Sequence, residues 1–419
     1  MRNNTANISL WYNVFGDNMD RIIFHIDVNN AFLSWTAIEL LANGSKEDIR
    51  NIDAIIGGDE SRRAGIVLAK SIGAKKKGII TGETLYSARR KCPGLKIFLP
   101  KYGTYQAMSC QLFELLSRYT PDIEIFSIDE CFLDYGKVKN LYGDELLFAK
   151  KLKDEIQTFL GFTVNIGIAN NKLCAKMASD FLKPNMIHTL FDNEVNDKMW
   201  PLPIEELFGV GKKSSAKLRG LGINTIGDLA TANPDRLYPY FKNQTIKMID
   251  GACGHDGSQV IRERGECKGI SNTTTLDHDL KTKDEITKVL HAIAENLALA
   301  LRKQNRYACV IVVILKDRYF RSYTHQLKLK NGTNITNEIF EVSKKLLDEM
   351  WTLEPIRLVG MRLDSLVKEV NYQMSLFESH EDRSRVTKLD KTVDELKLKY
   401  GRDVIQNAYL RDEKINKKY

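Results

Sequence analysis

Two acids stand side by side in the stretch FSIDECFLDYG (126–136), Asp129 and Glu130, inside an otherwise apolar, strand-like run. Successive side chains of a regular strand point to opposite faces. Both carboxylates therefore serve one site only if the chain bends there, as at a hairpin tip or bulge. Carboxylates about 4 Å apart repel by roughly 4 kcal/mol at an effective dielectric of 20. A divalent cation bound through hard oxygen ligands relieves that repulsion, and Mg²⁺ takes few protein carboxylates, leaving its other positions to phosphates and water. The stretch by itself reads equally well as a solvated hairpin tip. A third acid, Asp27, ends the apolar run 22–26 ahead of an amphipathic helix expected to begin near Ser34. Free helix N–H groups make such a junction a place for phosphate and metal chemistry, although an acid there also serves as a helix N-cap. Together the three carboxylates are the minimum set for two Mg²⁺ ions about 3.5–4 Å apart.

The elements that position these acids belong to a chain of 419 residues, long enough for two to four domains. Apolar and charged fractions are those of a globular protein without membrane segments: no apolar run approaches the roughly 20 residues of a membrane helix. The start lacks the apolar core of a signal peptide, and the expected location is the cytoplasm. Lys and Arg number 62 against 54 Asp and Glu, a formal net charge of +8 that suits a nucleic-acid partner. The seven cysteines are scattered and never spaced as CxxC, so neither a disulfide framework nor a zinc site is indicated.

Five stretches, HIDVNNAF (25–32), IVLAKSIGAKKKGI (66–79), FSIDECFLD (126–134), GIANNKLCAKMASD (167–180) and KPN (183–185), resemble in order the motifs of the Y-family DNA polymerases, the lesion-bypass enzymes of the DinB and UmuC type. The DVN opening and the AKS wording sit closer to the UmuC branch. The resemblance implies an α/β (α+β) multidomain, right-hand polymerase. Residues 1–19 would be a flexible extension, 20–32 and 102–189 the palm, 33–101 the fingers, 190–258 the thumb, 266–368 the little finger and 369–419 a tail. It makes Asp27, Asp129 and Glu130 the catalytic, metal-binding carboxylates, with the Val28 carbonyl as a further ligand and two Mg²⁺ ions as cofactor. Phe32 falls at the steric gate that excludes a ribose 2′-hydroxyl, and Lys75 and Lys172 fall against the triphosphate. Without the family, Phe32 reads as a core aromatic and the lysines as solvated. Ala31 replaces the aromatic that usually precedes the gate, and Ile72 stands where DinB-like members carry a Tyr. The implied activity is low-fidelity, damage-tolerant DNA synthesis without proofreading, by a monomer acting on primer–template DNA and deoxynucleoside triphosphates.

Three other features extend this reading. From 200 onward, two short amphipathic helices are expected on either side of Gly209, Val210, Gly211 and Lys212, as in a helix-hairpin-helix whose backbone N–H groups approach a DNA phosphate. Arg302, Lys303, Arg306, Lys316, Arg318, Arg321, Lys328 and Lys330 crowd the little-finger segment with Asp317 as the only acid among them. This is a strip suited to the DNA backbone, or a charged edge that blocks aggregation. Gln373, Met374, Ser375, Leu376 and Phe377 place apolar side chains in a polar stretch and resemble the bacterial sliding-clamp motif. The helical, basic segment KLDKTVDELKLKYGRDVI (388–405) carries no assignable chemistry.

Two rivals come from other classes. A catalytically inactive, clamp-tethered DNA-binding accessory would not need all three acids. A cyclase-type nucleotidyl transferase is suggested by Gly57, Gly58, Asp59 and Glu60, but Ser61, Arg62 and Arg63 follow where that motif continues with an aromatic.

Overall fold

In a computed structural model of the chain, the described residues are 21–59, 65–263, 265–369, 380–401 and 404–405. The expected N-terminal extension lies outside them. They divide into two compact units, one running to Gly58 and from Ile66 through 263, the other from Gly265 onward.

In the first unit the apolar run IFHIDV forms β1 (Ile23–Val28), and the chain turns through Asn30, at φ 52°, into α1 (Ala31–Ala42). The helix thus starts earlier than the sequence suggested, with Asn30 rather than Asp27 at its N-cap. Asparagine tolerates this left-handed conformation, and its Nδ2 donates to the Lys70 carbonyl at 2.6 Å. A small sheet follows, β2 (Ala54–Gly57), β3 (Val67–Lys70) and β4 (Lys96–Phe98), in the order β3–β2–β4, with helices α2 (Ile72–Lys76) and α3 (Leu85–Lys91) between its strands. Ser71 caps α2 by accepting from the Ala74 N–H at 3.1 Å.

Next come α4 (Tyr102–Ser117), the hairpin β5 (Ile123–Ile125) and β6 (Glu130–Asp134), α5 (Glu145–Leu160), β7 (Val164–Ala169), α6 (Lys172–Asp180) and β8 (Ile187–Thr189). With β1 they make a five-stranded sheet in the order β5–β6–β1–β7–β8. Strand alternation sends Phe24, Ile26 and Val28 to one face, where they join Trp35, Tyr105, Leu112, Phe148 and Leu152 in the main core. Ile23 goes to the other face and shares a core with Cys174, Ala175 and Ala178 of α6. Helices α7 (Lys212–Gly220), α8 (Ile226–Ala230), α9 (Pro234–Phe241) and α10 (Gln244–Ala252) extend that second core through Leu218, Ile226, Leu229 and Leu237. The α-helix expected before Gly209 is instead a single 3₁₀ turn, Ile204–Glu206, preceded by Pro203. Only the helix after Gly211 is a full α-helix.

The second unit contains β9 (Gly269–Leu280), α11 (Lys283–Lys303), β10 (Tyr307–Asp317), β11 (Ser322–Thr333), α12 (Thr336–Met350) and β12 (Ile356–Val367). The strands form an antiparallel sheet in the order β11–β10–β12–β9, with α11 and α12 packed on one face over Ile311, Val313, Val359 and Met361. A last helix, α13 (His380–Tyr400), is tied to α11 by Arg302. The guanidinium is 8% exposed, forks onto Asp394 at 2.6 and 2.9 Å and reaches Asp390 at 3.0 Å. Arg302 therefore leaves the basic strip proposed from sequence, because two acids one helical turn apart on α13 neutralise it. Arg302→Leu is expected to cost about 2 kcal/mol by leaving partly buried Asp394 without its bidentate partner and Asp390 with only the Thr336 N–H, at 3.0 Å. Thermal unfolding would show it as a lowered midpoint; an unchanged one would mean that the pairs act as exposed ones do.

Candidate active site

Strand register sets the neighbours of Asp27. Glu130 of β6 stands opposite it on one side and Asn165 of β7 on the other. Directly paired residues of antiparallel strands lie on the same face, so Glu130, Asp27 and Asn165 form one row across three strands. Asp129 precedes β6 in the turn that closes the β5–β6 hairpin, where the N–H groups of Phe126 and Ser127 both donate to the Glu130 carbonyl at 3.0 Å. The bend inferred from two adjacent acids is thus present. Ser127 Oγ donates to Asp129 Oδ1 at 2.5 Å. The Val28 N–H donates to the Asp129 carbonyl at 3.0 Å, and because the N–H and C=O of one strand residue point the same way, the Val28 carbonyl also faces this bend.

Three side chains that lie in the quoted motifs but received no role from the sequence surround the row. The Lys183 ammonium donates to Asp27 and, at 2.8 Å, to Asp180. Burial pushes the Asp27 carboxyl above its ordinary value, Lys183 pulls against this, and the nearby Asp129 charge adds a smaller upward push. Lys176 of α6 donates to Glu130 Oε2 at 2.5 Å. Buried His25, two residues before Asp27 on the same face, has Nδ1 2.8 Å from Ser179 Oγ. Its Nε2 lies 3.2 Å from Glu130 Oε2. Burial works against ionisation of Glu130, yet His25 and Lys176 outweigh it and hold the carboxyl at about 2. Burial lowers His25 from its ordinary value, which favours the neutral ring.

Among the described residues, no three His, Cys, Asp or Glu side chains converge as a ready metal group, since separate lysines hold Asp27 and Glu130. The donor set still fits a hard divalent cation, because three carboxylates and the Val28 carbonyl supply oxygen only. The opposing ammonium groups sit on flexible stems that a change of rotamer moves aside.

The remaining predicted residues distribute unevenly. Phe32 is stacked on buried Tyr105 with centroids 4.5 Å apart and planes within 7°, and meets Tyr102 edge-on. Its ring is thus held rigidly at the start of α1. Lys75 is exposed near the end of α2, and its charge adds to burial in lowering the neighbouring Lys70 ammonium. Two like charges brought together in this way favour an anion. Lys172 has a partner of its own, with Nζ 2.7 and 2.8 Å from the two oxygens of Glu124 and 4.9 Å from the Phe132 ring centroid. Gly209 adopts φ +92°, and Gly211 N-caps α7 without a side-chain bond, leaving Lys212 exposed at the helix start.

In the second unit, register places Lys328 opposite Val310, and Lys316 opposite both Ser322 and Leu358, on the sheet face away from α11 and α12. Lys330 is exposed further along β11. Arg362, not noticed in sequence because it sits inside an apolar run, shares that face opposite Val312 and Ser271. Arg321 is tied to fully buried Asp317 at 2.7 Å, and Arg318 lies over the Tyr319 ring at 4.8 Å. The single acid of the basic strip thus holds one of its arginines. The clamp-like residues Gln373 to Phe377 lie outside the described residues.

The architecture is that of a Y-family polymerase. A Y-family DNA polymerase chimera of Dbh and Dpo4 superposes with a TM-score of 0.73 at 24% identity, over 83% of this chain and 100% of that one. The chain belongs to the impB/mucB/samB family, whose model matches residues 26–180, with the family's HHH motif at 192–223 and its C-terminal domain at 268–376. Relatives named DNA polymerase IV include one from Clostridium acetobutylicum, 48% identical over 94% of this chain and 98% of its own length. Another, from Acetivibrio thermocellus, is 31% identical over 95% of this chain and 100% of its own. DNA polymerase IV 1 of Bacillus subtilis is 33% identical over 93% and 92%. No helix among the described residues is long and apolar enough to cross a membrane.

Proposed function

We infer that this protein is a DNA-directed DNA polymerase that extends a primer across damaged template, with low fidelity and no proofreading. The observation that carries the inference is the row formed by Asp27 and Glu130, with Asp129 in the adjoining bend, in a chain 48% identical to a protein named DNA polymerase IV. Relatives that share the name DNA polymerase IV support a DinB-type reading over the UmuC-like branch that the DVN and AKS wording suggested. The five-stranded sheet would be the palm, the β3–β2–β4 sheet the fingers, helices α7 to α10 the thumb and the second unit the little finger.

Asp27, Asp129, Glu130 and the Val28 carbonyl would hold two Mg²⁺ ions. When bound, these acidify the primer 3′-hydroxyl and neutralise the triphosphate and its leaving group. The chain's own residues position and screen charge. Lys176 keeps Glu130 anionic and in place. Lys183, beside Asp27, presents an ammonium where the triphosphate arrives, a role that its geometry supports better than that of Lys172. Lys70 and Lys75 offer a second anion contact from the fingers. Phe32, braced by Tyr105, fills the space of a 2′-hydroxyl. The free N–H groups at the start of α7, with Gly209, Gly211 and Lys212, would hold a DNA phosphate. Lys316, Lys328, Lys330 and Arg362 would track the backbone, with Arg318 and Arg321 at the end of the strip. Gln373, Met374, Ser375, Leu376 and Phe377 would dock on a sliding clamp, the protein acting as a cytoplasmic monomer.

Primer extension on intact and lesion-bearing templates tests the reading; absence of Mg²⁺-dependent extension on both would overturn it. Phe32→Ala is expected to raise the use of ribonucleotides relative to deoxynucleotides on the order of a hundredfold. Unchanged sugar discrimination would remove Phe32 from the gate.

A further inference from the structure

The lysine beside Asp27 belongs to a short turn between α6 and β8, and hydrogen bonds hold that turn: Lys153 Nζ donates to the Asn185 carbonyl at 3.3 Å, the Ile166 N–H to the Met186 carbonyl at 3.0 Å, and side-chain amides add others. Asn165, fully buried, lies directly opposite Asp27 in the ladder. Its Nδ2 donates to the Leu182 carbonyl at 2.7 Å and to the Ser179 carbonyl at 3.0 Å. Its Oδ1 accepts from the Met186 N–H at 3.2 Å and from Asn29 Nδ2 at 3.1 Å. Asn29, two residues after Asp27, uses its own Oδ1 to accept from the Asn185 N–H at 2.8 Å. The two amides therefore fasten the turn just before Lys183 and twice just after it.

We propose that Asn165, assisted by Asn29, is a positioning residue of this polymerase, its side-chain amide fixing the 182–186 turn so that the Lys183 ammonium is delivered to Asp27. The chemistry explains the residue type. Two carbonyls require donors, one backbone N–H and one amide require an acceptor, and a neutral primary amide of this length supplies both. An Asp at 165 would face two carbonyls without donors and set another negative charge beside Asp27. A Leu of similar volume would take this partner from the Ser179 carbonyl, the Met186 N–H and Asn29 Nδ2, and leave the Leu182 carbonyl with His188 Nε2 alone, at 3.2 Å. A buried amide that serves only stability has no reason to stand in the carboxylate row and bracket its lysine. The proposal rests on the reading of Asp27 as an active-site acid with Lys183 facing the triphosphate.

The test is steady-state primer extension by the full chain, with KM for the incoming nucleotide and kcat measured separately, alongside thermal unfolding. Lys183→Ala is expected to raise KM about tenfold or more with a smaller change in kcat, and Asn165→Leu to do the same, as is usual for groups that orient a functional side chain. In the Lys183→Ala background, Asn165→Leu should add less than about twofold, because its effect passes through the lysine already removed. A full, independent penalty in that background would overturn the proposal and leave Asn165 a structural residue. A folded Asn165→Leu protein with unchanged KM would do the same. Should Asn165→Leu not fold, Asn29→Ala, which removes one acceptor from the turn, carries the test: a KM raised about threefold supports the proposal and an unchanged KM refutes it. Unaltered KM in Lys183→Ala alone would overturn the lysine's role and this proposal with it, whereas loss of extension in Asp129→Ala would still uphold the polymerase reading.

Discussion

Asp129→Ala and Asp27→Asn are each expected to reduce primer extension at least about a thousandfold, a loss of roughly 4 kcal/mol of transition-state stabilisation. Asp27 lies opposite Glu130 on the same face, and its carboxyl already senses the charge of Asp129. Asp129→Ala takes away an oxygen ligand and Asp27→Asn exchanges an anionic ligand for a weaker, neutral amide oxygen, and the ammonium groups paired with the row, Lys176 and Lys183, supply neither. DNA binding should be kept or slightly tightened, because each variant removes a negative charge near a polyanion. The paired measurement is extension rate and DNA affinity at one fixed salt concentration. Retained extension with either variant would break the assignment of the carboxylates, and loss of both activity and DNA binding would point to a folding defect instead.

Gly167→Ala is expected to destabilise the first unit by about 3 kcal/mol or more. Gly167 faces α6 from β7 so closely that an added Cβ would lie 1.9 Å from the Ala175 carbonyl oxygen and 2.5 Å from the Ser179 backbone nitrogen. Both are backbone atoms within a helix, so no side chain can swing away. The helix itself must lift from the sheet. That motion would also displace Lys176 from Glu130 and Ser179 from His25, so activity should fall even at temperatures where the variant is folded. Thermal unfolding should show a midpoint lower by roughly 6–12 °C. A midpoint within about 2 °C of the unaltered protein would mean that the helix has room to give.

Several features of the site were legible in the residues themselves. Two adjacent acids in an apolar strand required a bend, and the β5–β6 hairpin turns there. The strand ending at Asp27, the glycine-rich approach to α7 and the alternating pattern of the second unit followed from local period and turn chemistry, which depend on neighbours only a few positions away. Other expectations failed for local reasons too. Asp27 looked like a helix cap until Asn30 took that place, and the helix expected before Gly209 stops after one 3₁₀ turn because Leu207 is already extended.

What the chain could not disclose along its length was which charge meets which. Lys172, Lys176 and Lys183 are similar residues within a dozen positions, yet they pair with Glu124, Glu130 and Asp27 respectively. Arg302 read as part of a DNA-binding strip, and two aspartates about ninety positions later claim it. Asn165 gave no signal, being one neutral amide in an apolar strand. The amino-acid sequence by itself determined the acids, their order and the elements that carry them, since these are properties of short segments. The partners of each charged or amide group were decided by tertiary structure alone, because strand register and the placement of α6 on the sheet bring together side chains with no relation in sequence.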